Sequence, residues 1–467
     1  MATIGPALGG TPSLFSVAFD LGTVGYRADE HLVAGEAERY AAAGAHRPDG
    51  RWDVTVAGRA DFTTRVVVHR PADPGAADGT VVVEWLNVTG GLDVPAVWMA
   101  THRHLVRTGI TWAGVSVQQV GVAGGGGVMQ GLSLLEVDPG RYGSLHHPGD
   151  AHALGIFGAV GRALRDALPR LHGLRVDRMI AAGASQSAMY LTTYVNAIQP
   201  RDAVFDAFLL QGRAGRAAPV GGWDPAAVSL RDDDAAANRA RLRGADRIRD
   251  DTGVPVIVVQ SETDVFGRLA SLPARQPDSD HFRWWEVAGA AHCDTYFLCA
   301  APHDDGRLPV ADLAALVDRA ETSGLPAELP INAGPQMHYV MQRAVDALRD
   351  RLARGTEPPT APPLALDGPD TLAVDEHGIA RGGLRTPWVD APVAALSGLG
   401  QPGELAGLMG TTRRFTPAEL AARYPGGRDE HAAAFEAATA RAVAAGHLLR
   451  TDTPEITALG RAAWPGA

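Results

Sequence analysis

Cysteine is almost missing from this chain: 467 residues hold only Cys293 and Cys299. So few exclude a disulfide-stapled framework and point to a reducing compartment, the cytoplasm. A bridge between the two is sterically allowed and stays open at this stage; Cys293 otherwise reads as a small buried apolar residue. The first residues, Met1 to Pro6, carry no basic region followed by an apolar run, so no secretory signal is expected. No uninterrupted apolar stretch reaches the roughly 20 residues needed to span a bilayer. Basic residues are outnumbered, 42 Lys plus Arg against 53 Asp plus Glu, for a net charge of −11. Nucleic acid and anionic membrane select clustered cations, so neither is an expected partner, and a small neutral molecule is. Metal-ligand spacing is lacking too. His102-x-His104 and His146-His147 are not the i, i+4 helical pair with an acidic partner that zinc requires. Gly124 to Gly127 lacks the Gly-Lys-Ser/Thr ending of a phosphate cradle and reads as a flexible rim loop. No metal or organic cofactor is expected, and nothing in the sequence sets an oligomeric state.

What is present is an ordinary globular balance, 46% apolar and 20% charged, long enough for one large domain or two ordinary ones. Residues 1–50 are rich in Gly and Ala with weak periodicity. Thr64–Arg70 and Thr80–Leu86 are strand-like and flank a turn-forming Pro71-Ala72-Asp73-Pro74-Gly75, which predicts a hairpin. A helix follows through Trp98, Met99, His102 and Leu105, then a buried strand over Ile110–Val117. Leu154, Phe157, Val160, Leu164 and Leu168 recur at helical spacing. Further buried strands are expected at Met179–Ala182, Ala207–Leu210, Pro255–Gln260 and Arg283–Val287. Strands alternating with helices predict an α/β fold, a mostly parallel central sheet with helices on both faces. The polar stretch 213–250 interrupts this rhythm and reads as a lid insertion. Residues 355–365 are a Pro-rich connector, which divides the chain into a catalytic domain, 1–354, and an extension, 355–467, whose last part is helical.

The chemistry concentrates at Gly183-Ala184-Ser185-Gln186-Ser187. An apolar run enters it and a helical pattern leaves it, the strand–turn–helix setting of an elbow that holds a serine hydroxyl above a sheet. Ser187 stands where a second glycine is usual and crowds the turn. A serine nucleophile needs a base, and on this architecture the order is nucleophile, acid, histidine. The next core strand ends in Ser261-Glu262-Thr263-Asp264 and the one after it in Ala288-Gly289-Ala290-Ala291-His292. His292 is therefore the expected base. Asp264 or Glu262 is the expected acid, with Asp264 preferred because a shorter side chain suits orienting an imidazole. An oxyanion hole would use the backbone N–H of Gln186 and one from the loop after Leu86, Val88 first and Asn87 or Thr89 one residue away. Asn87, Thr89 and Tyr142 are expected to contact substrate. Trp85, Trp98, Trp284 and Trp388 are further candidates for the pocket wall, at most two aromatic residues being expected there.

The chain resembles the α/β-hydrolase superfamily, and within it a bacterial group labelled alpha/beta hydrolase domain-containing proteins. The resemblance rests on Glu84-Trp85-Leu86-Asn87-Val88-Thr89-Gly90-Gly91, on Asp138-Pro139-x-Arg141-Tyr142-Gly143-Ser144-Leu145-x-His147-Pro148-Gly149-Asp150, and on the Ser185 elbow. It also rests on Gln260–Asp264, on Gly289-x-x-His292, and on Gly383-x-Arg385-Thr386-Pro387-Trp388-Val389-Asp390. It implies a serine esterase-like fold acting on carboxylic esters, and it implies that the post-connector segment packs back on the catalytic domain. The same three residues would also serve acyl transfer to an alcohol or amide hydrolysis. A hydrolase fold retained only for binding is the reading from another class.

Overall fold

The chain is described from a computed structural model that covers residues 1–15, 17–223, 235–319 and 327–466. Runs of β-branched residues form strands buried along their whole length, such as Thr80-Val81-Val82-Val83-Glu84-Trp85 and Val256-Ile257-Val258-Val259. In chain order the strands of the main sheet are β1 (Thr3–Leu8), β2 (Tyr26–Ala42), β3 (Val54–Pro71), β4 (Thr80–Trp85), β5 (Thr111–Val115), β6 (Arg178–Ala184), β7 (Ala207–Gln211), β8 (Val256–Ser261) and β9 (Phe282–Val287). Their spatial order is β1-β2-β3-β5-β4-β6-β7-β8-β9. From β5 to β9 the neighbours are parallel, while β2 runs antiparallel to both β1 and β3, and β3 antiparallel to β5.

The expected hairpin between the strands at 64–70 and 80–86 does not form. β5 lies between them, pairing Val66–His69 on one side and Val81–Trp85 on the other. The turn residues at 71–75 instead open a crossover. β3 pairs with β2 over its whole length, from Tyr26↔Pro71 to Ala42↔Val54. Its first half alternates between half-buried and exposed, and its second half, flanked on both sides, is buried. β2 was not expected as a strand, because its Ala, Glu, Gly and Arg content favours no pleated surface; pairing with β3 imposes it.

Side-chain alternation divides the core into two layers. Val81, Val83 and Trp85 face one layer, with Leu154, Phe157, Val160, Leu164, Met189 and Leu191. Val82 and Leu86 face the other, with Val97, Leu105, Met341 and Val345. The helices involved are α1 (Ala96–Thr108), α2 (Ala153–His172), α3 (Gln186–Thr193) and α4 (Gln336–Arg354). Helices on both faces leave the C-terminal ends of the parallel strands as the open rim, where such sheets place their sites.

The stretch 213–250 is less lid-like than its polarity suggested. Arg213, Ala214, Ala217, Ala218, Leu242 and Ile248 are buried. Arg213 is held by the carbonyls of Ala214 (2.9 Å) and Asp246 (2.6 Å). The centre of the expected lid, 224–234, lies outside the described residues. After the connector, β10 (Ala394–Ser397) and β11 (Thr411–Arg414) pair antiparallel, and helices α5 (Gly427–Ala444) and α6 (Thr453–Ala462) follow. Phe435, Ala442, Ile456 and Leu459 from this segment join the second core layer. Among the described residues no helix is long and apolar enough to cross a membrane.

Candidate active site

Ser185 joins β6 to α3 with φ 59° and ψ −121°; among the described non-glycine residues only Ala203 and Ala270 share a positive φ. Backbone strain of this kind costs about 1–3 kcal/mol and persists where surrounding structure over-determines it. The restraints here are visible. Ser185 N–H donates to Gln211 O at 2.8 Å, and a side chain at Gly183 would press on Leu191 and Ser187 at 3.0–3.2 Å. Ser187, the departure from the usual small residue, is fully buried and donates its hydroxyl to Leu86 O (3.2 Å), tying the elbow to the end of β4.

His292 lies on the loop after β9. Its Nδ1 is 2.6 Å from Asp264 Oδ1. Asp264 sits just past β8, in a one-turn helix capped by Ser261, and its other oxygen accepts Ser261 N–H at 2.7 Å. With 1% of its side chain exposed, against 11% for His292, this carboxylate is shielded and both of its oxygens are occupied. Gly212, the residue after β7, connects the two halves of the site. Its preceding carbonyl takes the Ser185 N–H. A Cβ on it would lie 2.9 Å from Cε1 and Nδ1 of His292 and 3.3 Å from Asp264 Oδ1. Gly212 was missed in the sequence, although a glycine directly after the Leu209-Leu210-Gln211 strand end was there to be read.

Glu262, the alternative acid, does not meet His292. Its carboxylate is fully buried and accepts three hydrogen bonds, from Gly289 N (2.6 Å), Ser397 Oγ (2.8 Å) and Gly398 N (2.8 Å). Burial pushes this carboxyl upward, and the three donors pull it back.

The loop after Leu86 lies against the elbow. Asn87 Nδ2 donates to Ala184 O (3.0 Å), and the Thr89 hydroxyl to Gln186 Oε1 (3.4 Å). Of the three neighbouring amides, Asn87 N–H is taken by Val94 O (3.0 Å) and Thr89 N–H by Asn87 Oδ1 (2.9 Å). Val88 N–H is the amide that this loop does not spend on itself, and Gln186 is the first residue of α3, where backbone N–H groups lack intrahelical partners. The glycine run at 124–127 packs beside this loop rather than standing free. A Cβ at Gly127 would fall 2.4 Å from Gly91 Cα, and Val128 and Met129 N–H donate to Thr89 O (3.0 Å) and Gly90 O (3.1 Å). Glu84, at the end of β4, accepts from Val97 N, Trp98 N and Trp112 Nε1 at 2.8–2.9 Å, and burial pushes its carboxyl up to about 8.

Tyr142 does not reach the site. It is fully buried with Val122, Leu134 and Leu145, donates its hydroxyl to Glu30 (2.8 Å) and accepts from Ser13 N (3.1 Å). Glu30 also pairs with Arg141 and Arg65, so a buried ion network consumes the phenol that the sequence offered to a substrate. The tryptophans are core as well: Trp85 stacks on Tyr190 at 4.9 Å, Trp388 on Tyr339 at 5.5 Å, and Trp98 and Trp284 are buried. Cys293 and Cys299 are both free thiols, and burial beside Asp294 and Asp264 pushes Cys293 up to about 12. His102 is bonded to Asp304 O (2.6 Å) and His147 to Val117 O (2.8 Å). Among the described residues no group of three His, Cys, Asp or Glu is placed to hold a metal ion.

A family model described as "Alpha/beta hydrolase domain" matches residues 4–458. The chain belongs to this family. No curated protein matches the sequence. Among solved structures, the chain is similar to a fungal esterase from Rhizomucor miehei at 11% identity and TM-score 0.32, covering 69% of this chain and 85% of that one. It is similar to a putative dienelactone hydrolase from Klebsiella pneumoniae at 12% identity and TM-score 0.28, covering 59% and 92%. An esterase from Pseudomonas putida gives 15% identity and TM-score 0.27, covering 55% and 71%. At this level the likeness carries nothing about substrate. For this alpha/beta hydrolase the family match spans the connector and nearly all of the segment beyond it.

Proposed function

We propose that this alpha/beta hydrolase is a serine-dependent carboxylic-ester hydrolase. The observation that carries the reading is the 2.6 Å contact between His292 Nδ1 and a shielded Asp264, set across Gly212 from a serine in a strained elbow. His292 donates Nδ1–H to Asp264, which leaves Nε2 unprotonated to take the Ser185 proton. The Ser185 oxygen attacks the ester carbonyl, and the N–H groups of Gln186 and Val88 hold the tetrahedral oxyanion. His292 then protonates the departing alcohol, and a water activated by the same imidazole hydrolyses the acyl-enzyme. Glu262 is left out of the proton path because its oxygens are spent elsewhere.

The substrate is a small neutral ester with an apolar arm. Val128 and Met129, 46% and 48% exposed, offer an apolar rim held directly on the Thr89–Gly90 backbone, and the net charge of −11 disfavours anionic polymers. We place the enzyme in the cytoplasm and read 1–354 as its catalytic domain, with 355–467 as an extension packed on it. The test is Ser185→Ala assayed with p-nitrophenyl esters of graded acyl length and with a fluorophosphonate. Turnover and labelling should vanish while the circular dichroism stays that of the parent. Persistent labelling would mean that another serine is the nucleophile.

A further inference from the structure

The Glu262 carboxylate lies one residue from Thr263 and two from the acid that faces His292, yet all three of its partners lie outside β8. One is the Gly289 amide at the root of the loop that carries His292, and two are Ser397 and Gly398 of the post-connector segment. Thr263 makes the parallel connection. Its hydroxyl donates to Gly398 O (2.6 Å) and accepts His292 N–H (3.2 Å), so one fully buried oxygen stands between the tail and the backbone of the histidine itself.

The far side of the loop is held by the same segment. Cys293 N–H donates to Leu408 O at 2.9 Å. Asn332 Nδ2 bridges Gly289 O (2.9 Å) and Ser397 O (3.0 Å), while its N–H donates to Met409 O (3.0 Å). The contacts leave no slack. A Cβ at Gly398 would lie 2.4 Å from Ala290 O and 2.6 Å from Thr263 N, and one at Gly410 would lie 2.2 Å from Ser397 O and 2.9 Å from the Ala291 side chain.

We infer that Glu262 and Thr263 are positioning residues for His292, and that through them the Ser397–Gly398 turn of the post-connector segment sets the imidazole in line with Asp264. The inference rests on the esterase reading and adds to it: the extension beyond the Pro-rich connector is a working part of the site. The physical reason is the composition of the loop. Gly289-Ala290-Ala291 has no side chain that could fix its own path, and Gly289 adopts φ 71°. Its geometry must come from neighbours, and a misplacement of about 1 Å at a reacting group can cost about 100-fold in rate.

The full-length protein is compared as wild type, Thr263→Val, Thr263→Ser and Gly398→Ala. Valine keeps the shape of threonine and removes both hydrogen bonds, and serine restores them. Alanine at 398 wedges the turn off the loop by pressing on Ala290 O and Thr263 N, without removing any polar side chain. Three readouts are taken: kcat and KM for a p-nitrophenyl ester, the acidic limb of the kcat pH profile, and the low-field proton resonance of the His292 Nδ1–H shared with Asp264. The expected result is a kcat lower by about 10- to 100-fold in Thr263→Val and Gly398→Ala, with KM little changed. The acidic limb should move and the low-field resonance should shift or broaden, and Thr263→Ser should recover most of the parental behaviour. Folded Thr263→Val and Gly398→Ala proteins with parental kcat, pH profile and resonance would overturn the inference. If Thr263→Val does not fold, Ser397→Ala, which deletes one donor to Glu262, takes its place under the same criteria. The resonance is read without substrate. An inactive wild type with a clamp-sensitive resonance would therefore refute the esterase reading alone, and an active wild type with indifferent variants would refute the clamp alone.

Discussion

Exchanging Asp264 for asparagine puts the proposed mechanism under the sharpest test. In the parent, Oδ2 accepts Ser261 N–H at 2.7 Å and Oδ1 faces His292 Nδ1 at 2.6 Å, with the carboxylate shielded from water. Asparagine has only one oxygen. If that oxygen keeps Ser261 N–H, the NH2 group points at Nδ1, which must then be the unprotonated nitrogen, and the imidazole proton moves to Nε2, where it blocks acceptance of the Ser185 proton. If the amide flips, two N–H donors face each other inside the protein, and one goes unsatisfied at a cost of about 1–3 kcal/mol. The buried Ser261 amide therefore selects the unproductive tautomer, and the charge that stabilised the imidazolium is lost as well. A wrong tautomer at such a site lowers kcat by about 10⁴-fold, equivalent to about 5.5 kcal/mol of barrier. The assay is kcat and KM for a p-nitrophenyl ester, with the melting temperature as control for folding. A drop of less than about tenfold in a folded Asp264→Asn protein would refute the role given to this carboxylate; a loss of that size with Glu262→Gln, and none with Asp264→Asn, would transfer it.

Three further outcomes follow from the same geometry. Ser185→Gly should be inactive and about 1 kcal/mol more stable, because glycine releases the φ 59° strain and loses part of the gain as unfolded-chain entropy; a less stable variant by denaturant melts would contradict the strain argument. Asn87→Ala cuts both the tie to Ala184 O and the acceptor for Thr89 N–H, so kcat should fall by about 10- to 100-fold with KM less affected; unchanged kcat would show that the Val88 loop needs no such tether. His69 is buried between Trp98 and Trp112, and burial lowers it to about 3. The unfolded chain takes up this proton near 6.5 and the folded chain only near 3, so this part of the stability is intact above pH 6.5 and is lost as the pH falls. By pH 5 the loss amounts to about 2 kcal/mol. Urea melts at pH 7.5 and 5.0 should show a smaller difference in His69→Phe than in the parent, and an equal one would contradict the assignment.

Much of the candidate site was legible because its parts obey local rules. The elbow shows as an apolar run broken by small residues around Ser185, and Asp264 and His292 each lie in the short stretch that follows a β-branched or aromatic strand. What the local pattern misread or left open shares one cause. Tyr142 has the composition of a substrate-contacting residue and is taken by Glu30, which lies 112 positions away. Glu262 and Asp264 look alike two residues apart, and long-range donors at Gly289, Ser397 and Gly398 occupy Glu262 while Asp264 faces His292. β2 has the composition of a non-strand and became one through β3, and the expected hairpin was opened by β5 entering between its arms. None of these partners is written near the residue it acts on.

The sequence alone therefore determined the period of the buried elements and the order in which the candidate serine, acid and histidine follow the parallel strands. Periodicity and turn chemistry are local, so they survive translation into structure. Only the tertiary structure decided which carboxylate faces His292, which of three adjacent amides stays unspent, and that a turn at Ser397–Gly398 braces a loop a hundred residues earlier. Those choices depend on which buried donors and acceptors satisfy one another, and a buried polar group left without a partner costs too much for the fold to leave the matter to local preference.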